Sequence, residues 1–268
     1  MTKIGFMINP PYKYAAWAAF EQDLKTLADL SYHGIELSVR DPAELDVNRL
    51  RKSLADHKLQ LCGIATGASY FEDGLCLTSA DASVRTEAIE RLKTHVDLAV
   101  QFGAVIVVGQ MQGFKNDESE RETANARTVE CLQEVARYAE PKHVPLVLEP
   151  VNRFEVGHNH TAVEVLDLVD RIGSPALTIM LDTFHINIEE SSLDGPVRLT
   201  EGRLGHMHVF ENHRGLFGTG HVDLDLILRT TLDIGYQGYW VFGDFSTHSL
   251  PVRARAVIDF LHRSALAA

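Results

Sequence analysis

Three observations predict that the chain is an α/β protein, a single (β/α)8 TIM barrel over residues 1–268. Eight short apolar runs alternate with longer amphipathic runs, and no linker or low-complexity stretch interrupts them. Dividing 268 residues by eight gives about 33.5 residues per unit, a normal length for a strand followed by a helix. A doubly wound sheet is the alternative, but that fold has a glycine-rich phosphate-binding turn after its first strand. Here the first strand leads into "NPPYKY", which is not such a turn.

The predicted strands are short and apolar along their whole length. Such runs are typical of parallel strands that are covered by helices on the outer face of the sheet. In chain order the strands are predicted at 3–8, 34–39, 59–65, 104–109, 144–150, 177–182, 204–210 and 239–245.

Helices are predicted between the strands from apolar residues spaced three or four apart. The segment 17–32 places Phe20, Leu24 and Leu27 on one face, as a helix that packs on a core requires. The same spacing recurs in 81–102, in 116–139 and in a last helix that follows Pro251. About eight helices are expected in all, which agrees with a barrel of eight repeats.

The composition restricts the partners and the compartment. The net charge is −12, which disfavours nucleic acid and membrane surfaces as partners because both need a positive face. The first residues, "MTKIGFMINP", do not resemble a signal peptide, and Cys62, Cys76 and Cys131 match no metal motif. We therefore expect a soluble cytoplasmic protein whose cysteines are buried free thiols.

Candidate metal ligands follow three successive strands. In a parallel barrel the functional side chains lie at the carboxyl ends of the strands. The fifth strand ends in "LEPVNRFE", which contains Glu149, and the sixth ends in "LDTFH", which contains Asp182. The seventh, "HMHVF", offers His206 or His208, which share a face, so spacing leaves both open. Two carboxylates and one imidazole suit Mn²⁺, Co²⁺ or Mg²⁺.

These motifs resemble the xylose isomerase-like barrels, and most closely the ketose 3-epimerases of the tagatose and allulose (psicose) type. The resemblance covers nearly the whole chain and is strongest between residues 145 and 245, where "LEPVNRFE" and "HMHVFENHRGLFGTGHVD" carry it. It implies a divalent-metal enzyme, Mn²⁺ first, that acts on a sugar as a dimer or tetramer. It also implies three metal ligands, namely Glu149, Asp182 and His208, of which Glu149 is an acid/base group as well. The substrate-binding residues that it implies are Glu155, His185 and Arg214.

The eighth strand departs from the family pattern. The family has a Glu that serves as fourth ligand and second acid/base group, and aligning "GYQGYWVFGDF" on its Tyr, Gly and Phe places that Glu at Gly243. Asp244 comes one position later, and neighbouring strand residues point to opposite faces, so Asp244 is expected to point away from the barrel axis. A bulge at Gly243 is the alternative that would turn Asp244 inward.

The missing carboxylate leaves several functions open. The leading expectation is a divalent-metal sugar epimerase or isomerase that acts on a ketose or keto-sugar, with Glu149 as the remaining acid/base group. A lyase or hydratase acting on a 3-keto-sugar and a catalytically silent sugar-binding barrel are the alternatives. The AP endonucleases share the barrel, but they need a basic groove, which the charge of −12 disfavours. If Gly243 leaves a vacant ligand position, Gly243→Glu is expected to tighten metal binding.

Two further expectations concern the surroundings of the site. Glu36, in the second strand, is expected to hold a neighbouring side chain in place. An apolar wall for the sugar is expected from aromatic residues that follow strand ends, drawn from Tyr12, Tyr14, Trp17, Tyr70, Phe71 and Phe114.

Overall fold

The computed structural model describes residues 3–264 and shows a closed barrel of eight parallel strands. The strands follow one another around the barrel in chain order, and β1 closes it by pairing with β8. They are β1 (Lys3–Ile8), β2 (Gly34–Ser38), β3 (Gln60–Ala65), β4 (Val105–Val108), β5 (Leu146–Leu148), β6 (Leu177–Asp182), β7 (Leu204–Val209) and β8 (Tyr239–Phe242). The predicted TIM barrel is confirmed.

Helices cover the outside of the barrel, with at least one between each pair of successive strands. The outer layer consists of α1 (Trp17–Asp29), α2 (Val47–His57), α4 (Ala82–Val100), α5 (Arg121–Ala139), α6 (Ala162–Ile172), α8 (Gly195–Leu199), α9 (Leu224–Asp233) and α10 (Leu250–Arg263). Two short extra helices, α3 (Gly67–Asp73) and α7 (Thr183–Glu189), begin almost directly after β3 and β6. Within residues 3–264 no helix combines the length and the apolar character that crossing a bilayer requires.

Alternation along the strands divides the side chains between two cores. The larger apolar cluster lies between the strands and the helices, and Phe242 of β8 belongs to it, with its ring 5.3 Å from that of Phe217. A smaller cluster of Val107, Val147 and Met180 fills the barrel interior. Residues two positions along a strand share a face, so the next inward positions beyond these strands are Gly109, Glu149 and Asp182. The barrel thus directs polar groups toward its carboxyl end.

The observed elements differ from the predicted ones mainly at their ends. The fifth helix begins at Arg121 rather than at 116, because the Glu120 side chain caps it by accepting hydrogen bonds from the backbone N–H groups of residues 122 and 123. The last strand ends at Phe242 rather than at 245. The three cysteines are buried and free, as expected.

Candidate metal and active site

Glu149, Asp182 and His208 meet at the carboxyl end of the barrel, where β5, β6 and β7 end. Their ligand atoms all lie within 4.8 Å of one another, and all three side chains are buried. Nδ1 of His208 lies 3.8 Å from Oε1 of Glu149 and 4.0 Å from Oδ2 of Asp182. The structure therefore brings together the three residues that the sequence suggested as ligands.

Glu36 fixes the orientation of the His208 ring. The Glu36 carboxylate, fully buried at the inner face of β2, accepts hydrogen bonds from Nε2 of His208 at 2.7 Å and from Nε2 of His206 at 2.8 Å. Nδ1 of His208 is thereby left to face the two carboxylates. His206 also bonds Glu36, but only His208 is grouped with Glu149 and Asp182. The structure therefore distinguishes the two histidines that spacing alone left open. The expected positioning role of Glu36 is thus visible in its contacts.

Two glycines make room for these buried carboxylates. A Cβ atom built on Gly63 of β3 would overlap the Glu36 carboxylate, and one built on Gly109, directly after β4, would overlap Oε2 of Glu149. Any side chain at either position would have to displace a buried acid. The glycines in these apolar strands are therefore part of the construction of the site.

Burial and mutual charge alter the ionisation of the cluster. Burial raises the pKa of Glu149 and also that of Asp182. Burial alone would lower the pKa of His208, but the Glu36 carboxylate outweighs it and raises this pKa to about 9. For Glu36, burial would raise the pKa, but His208 and His206 together lower it well below its usual range. The metal-free site therefore holds protons that a cation would displace.

His185, on the first turn of α7, directs its Nε2 atom toward Glu149 and Arg214. Its Nδ1 accepts hydrogen bonds from the backbone N–H of Asn152 at 3.2 Å and from the Asn152 side-chain amide at 2.8 Å. Its Nε2 lies 3.6 Å from Oε1 of Glu149 and 3.3 Å from Nη2 of Arg214, a group that can only donate. Burial lowers the pKa of His185 well below its usual value, so the ring stays neutral.

Arg214 and Glu155 form an ion pair beside the three candidate ligands. Nη1 of Arg214 donates to Oε1 of Glu155 at 2.6 Å, and Asn152 donates to the same oxygen at 3.0 Å. The Arg214 guanidinium lies 4.0 Å from the centre of the Phe184 ring, and its Nη2 lies 3.9 Å from Oδ2 of Asp182. The backbone of Arg214 is left-handed, with φ of 51°, an uncommon conformation for this residue type.

The eighth strand places Gly243 at the site, but the space beside it is filled. Val209 of β7 pairs with Phe242, so Phe210 lies next to Gly243. A Cβ atom on Gly243 would lie 2.8 Å from Cε2 of Phe210 and closer still to two other ring atoms. An aromatic ring therefore occupies the space that a side chain at position 243 would need, and the vacant ligand position stays a prediction.

Asp244 does not join the three candidate ligands. Among residues 3–264 it belongs to neither group of side chains with metal-ligand spacing. Its Oδ1 accepts a hydrogen bond from the backbone N–H of Ser246 at 2.6 Å. Asp244 nevertheless lines the same cavity as the ligands, whereas the sequence predicted that it would point away from the barrel axis.

A cavity of about 830 Å³ opens above these groups. Its walls come from the ends of the strands and from the loops and helices that follow them. Of the six aromatic residues that the sequence suggested as an apolar wall, Tyr14 and Phe71 line it, and Phe210 and Phe245 are additional aromatic wall residues. Pockets of roughly 300–1,000 Å³ are typical of small-molecule sites in proteins.

The residues at the site fit a divalent cation. Two carboxylates and one imidazole nitrogen lie close enough together to bind one ion, and Glu36 holds the imidazole through its other nitrogen. Burial raises the pKa of both acids, and a bound cation would supply the positive charge that stabilises their ionised forms. Glu36, His206 and His208 also have metal-ligand spacing. In that group, however, direct hydrogen bonds of 2.7 and 2.8 Å already join the ligand atoms.

Several residues of the site escaped the sequence analysis. Asn152 orients both His185 and Glu155, and Gln110 donates to Oε2 of Glu155 at 3.3 Å. Asn152 lies inside "LEPVNRFE", so its place in the motif was the available signal. Gln110 and Phe210 had no comparable signal, because their roles depend on which strand ends lie side by side.

Comparisons with known proteins agree with this geometry. A profile of the xylose isomerase-like TIM barrel matches residues 24–264. The chain is 33% identical to an L-ribulose 3-epimerase of Mesorhizobium japonicum over 249 residues, which cover 92% of this chain and 82% of that protein. It is also 33% identical to a ketose 3-epimerase of Arthrobacter globiformis over 218 residues, which cover 80% of this chain and 73% of that protein.

Solved structures show the same similarity. A D-allulose 3-epimerase of Methylomonas sp., crystallised in complex with D-allulose, superposes with a TM-score of 0.85 at 25% identity, and the match covers 98% of each chain. The profile match, the curated relatives and the barrel with its carboxyl-end cluster lead to one conclusion. The chain belongs to the xylose isomerase-like TIM barrel family.

Proposed function

We propose that this protein is a divalent-metal-dependent sugar epimerase or isomerase that acts on a ketose or keto-sugar by proton transfer next to the carbonyl. The single observation that carries the proposal is the convergence of Glu149, Asp182 and His208 beside a cavity that also contains Arg214 and Glu155. The curated relatives are ketose 3-epimerases, which supports a sugar as the substrate. The cation would be held by Glu149, Asp182 and His208, with Mn²⁺ first and Co²⁺ or Mg²⁺ as alternatives.

Each side chain has a role that its contacts support. When bound, a divalent cation supplies Lewis-acid chemistry that polarises a carbonyl and lowers the pKa of the neighbouring C–H. Glu149 takes and returns that proton, because its buried carboxylate lines the cavity beside the other two candidate ligands. His185, a neutral ring whose Nε2 lies between Glu149 and Arg214, helps to position the sugar oxygens. Arg214 and Glu155 together bind sugar hydroxyls.

The proton transfer takes place on one face of the substrate. Glu149 stands at the end of β5, and Gly243 with the Phe210 ring over it stands at the end of β8. A carboxylate at position 243 would have approached the opposite face of the carbon, and an aromatic ring offers no proton acceptor there. One base on one face suits transfer between adjacent carbons, as in aldose–ketose isomerisation, better than inversion at one carbon.

The first turnover in D₂O tests this proposal. Mn²⁺-loaded protein is mixed with D-allulose, D-fructose, D-tagatose or L-ribulose, and NMR identifies the product and the hydrogen isotope at each carbon. A single base that moves a proton between carbons leaves part of the substrate hydrogen in the product. Full deuteration with inversion at one carbon would instead require a second acid/base group. Sugar binding with no product and no exchange would identify a sugar-binding barrel.

A further inference from the structure

The cavity has a second polar region, formed by residues that follow β1 and β8. Four of its lining residues come from the region of β1 and β8, which are neighbours in the barrel; β1 lies across from β5, and β8 lies between β1 and β7. We call this region the distal patch, and it consists of Tyr14, Asp23, Asp244 and Arg253. None of these residues has a part in the proton transfer proposed above.

Several polar atoms of the distal patch can form further hydrogen bonds or have no hydrogen-bond partner. The Tyr14 hydroxyl donates to Oδ2 of Asp23 at 2.7 Å, which leaves Oδ1 of Asp23 and the Tyr14 oxygen able to accept. Nη1 of Arg253 donates to the carbonyl oxygen of Asp244 at 2.6 Å. Two buried atoms, Oδ2 of Asp244 and Nε of Arg253, have no hydrogen-bond partner among the described residues. Buried polar groups without partners cost about 1–3 kcal/mol each, so they usually signal a missing ligand or water.

Apolar surface connects the distal patch with the metal half of the cavity. Phe71 and Phe245 both line the cavity, although 68% and 63% of their surfaces are exposed to solvent. The Phe245 ring lies 5.2 Å from the Phe210 ring, so it follows directly on the wall of the metal half. Large aromatic side chains exposed together in a concave site usually mark a binding surface.

The charges of the cavity argue against an anionic ligand. Its lining contains six acidic side chains and three cationic ones, which are Lys13, Arg214 and Arg253. Lys13 is paired with Glu72 at 2.8 Å, and Arg214 is paired with Glu155 at 2.6 Å. Arg253 contacts only a carbonyl oxygen, but it is accompanied in the patch by two acids, Asp23 and Asp244. Hydroxyl groups both donate and accept and so fit this mixture of carboxylates and one guanidinium better than a phosphate does.

We propose that the distal patch binds a second, uncharged hydroxyl-rich unit, so that the substrate is a ketose or keto-sugar with a glycosyl group at the end remote from its carbonyl. This inference rests on the proposed function, because the carbonyl end is placed at Glu149, Asp182 and His208. The cavity volume of about 830 Å³ agrees with it. A single hexose is smaller than the drug-sized molecules for which pockets of roughly 300–1,000 Å³ are typical.

Calorimetric titration of two sugars into the Mn²⁺-loaded protein tests the inference. D-fructose occupies the carbonyl end only, and isomaltulose is the same ketose with a glucosyl group on O6. We expect isomaltulose to bind about tenfold more tightly, as one or two added hydrogen bonds and covered apolar surface predict. Asp23→Asn and Tyr14→Phe should each reduce the ratio of the two affinities by about 3- to 10-fold. Gln22→Ala, an exposed position on the same helix, is the matched control and should leave the ratio unchanged.

Other outcomes would overturn the inference. Isomaltulose binding no tighter than D-fructose, or an unchanged ratio in both variants, would contradict a distal subsite. Tighter binding of fructose 6-phosphate than of isomaltulose would show that the region recognises an anion. Hydrogen exchange separates the two proposals, since tight isomaltulose binding without exchange of any sugar refutes only the proton transfer. Exchange of D-fructose without any gain for isomaltulose refutes only the distal patch.

Discussion

The ring of Phe210 lies against Gly243, at the ends of the neighbouring strands β7 and β8. A Cβ atom on Gly243 would overlap the ring, and only 1% of Phe210 is exposed. The two residues therefore form a complementary pair, in which the absence of a side chain at one position makes room for the aromatic ring at the other. This pair leaves position 243 without a carboxylate, and the acid that follows it, Asp244, lines the cavity outside the group formed by Glu149, Asp182 and His208.

Gly243→Glu alone is expected to fail as a restored ligand. The new side chain collides with Phe210, and overpacking of this kind costs about 1–3 kcal/mol of the free energy of unfolding. The double variant Phe210→Ala/Gly243→Glu removes the collision and should tighten Mn²⁺ binding by about tenfold or more, because it adds a third carboxylate. Chelator competition measures the affinity and thermal denaturation measures the stability.

The matched control for this pair is Phe210→Ala by itself, which opens the space and adds no charge. It should not tighten metal binding. Tighter binding by the Gly243→Glu single variant, with unchanged stability, would show that the Phe210 ring does not occupy the ligand position.

Asp182→Asn is expected to lower Mn²⁺ affinity by more than about 100-fold while the fold persists. Asp182 also caps α7 by accepting the backbone N–H of Phe184 at 2.8 Å, and the Asn amide oxygen can still accept that bond. The loss of Mn²⁺ affinity therefore reports on the removal of the Asp182 charge rather than on the loss of the α7 cap. Asp244→Asn removes a buried acid from the same cavity and should retain its metal in the same elemental analysis. Equal metal content in wild type and Asp182→Asn would rule out the proposed ligand set.

Glu36→Gln is expected to weaken metal binding by about 10- to 100-fold without removing a ligand. His206 and His208 use different oxygens of Glu36, and the substitution turns one of these oxygens into an NH2 donor, so one of the two histidines faces a donor and loses its partner. His206→Ala provides the comparison, because it leaves the Glu36–His208 bond in place and should reduce affinity much less. A similar loss in both variants, measured by chelator competition, would argue that Glu36 acts on the stability of the barrel instead.

Metal affinity is expected to rise with pH. In the metal-free protein, burial raises the pKa of Glu149, and Glu36 raises the pKa of His208 to about 9. Both groups therefore hold protons at neutral pH that a cation must displace, so binding strengthens by about tenfold per pH unit for each proton released and levels off above about pH 9. Calorimetry in buffers of different ionisation enthalpy counts the protons. Binding that releases no proton at pH 7 would contradict this ionisation state.

Most of this fold could be predicted from the sequence, because the patterns that specify strands and helices lie within short segments of the chain. Apolar runs and helical spacing specify eight units, and their alternation leaves few topologies other than a closed barrel. The candidate ligands were also predictable, since "LEPVNRFE" places Glu149 at a strand end, "HMHVFENHR" places His206 or His208 there, and the family resemblance favoured His208. The Phe210–Gly243 pair was not, because it depends on the register of β7 against β8, which no local pattern specifies. The distal patch likewise joins residues more than 200 positions apart in the chain, such as Asp23 and Arg253.

Carbon-bound hydrogen exchange catalysed by Glu149 tests the central claim most directly. Wild type and Glu149→Gln are incubated in D₂O with the ketose panel at a Mn²⁺ concentration that saturates both proteins, and mass spectrometry follows deuterium in the recovered sugars. We predict that wild type incorporates deuterium next to the carbonyl and that Glu149→Gln is slower by about 100-fold or more, as expected for the loss of a general base. Equal exchange rates in the two proteins, or a bound sugar that exchanges no hydrogen in wild type, would contradict it.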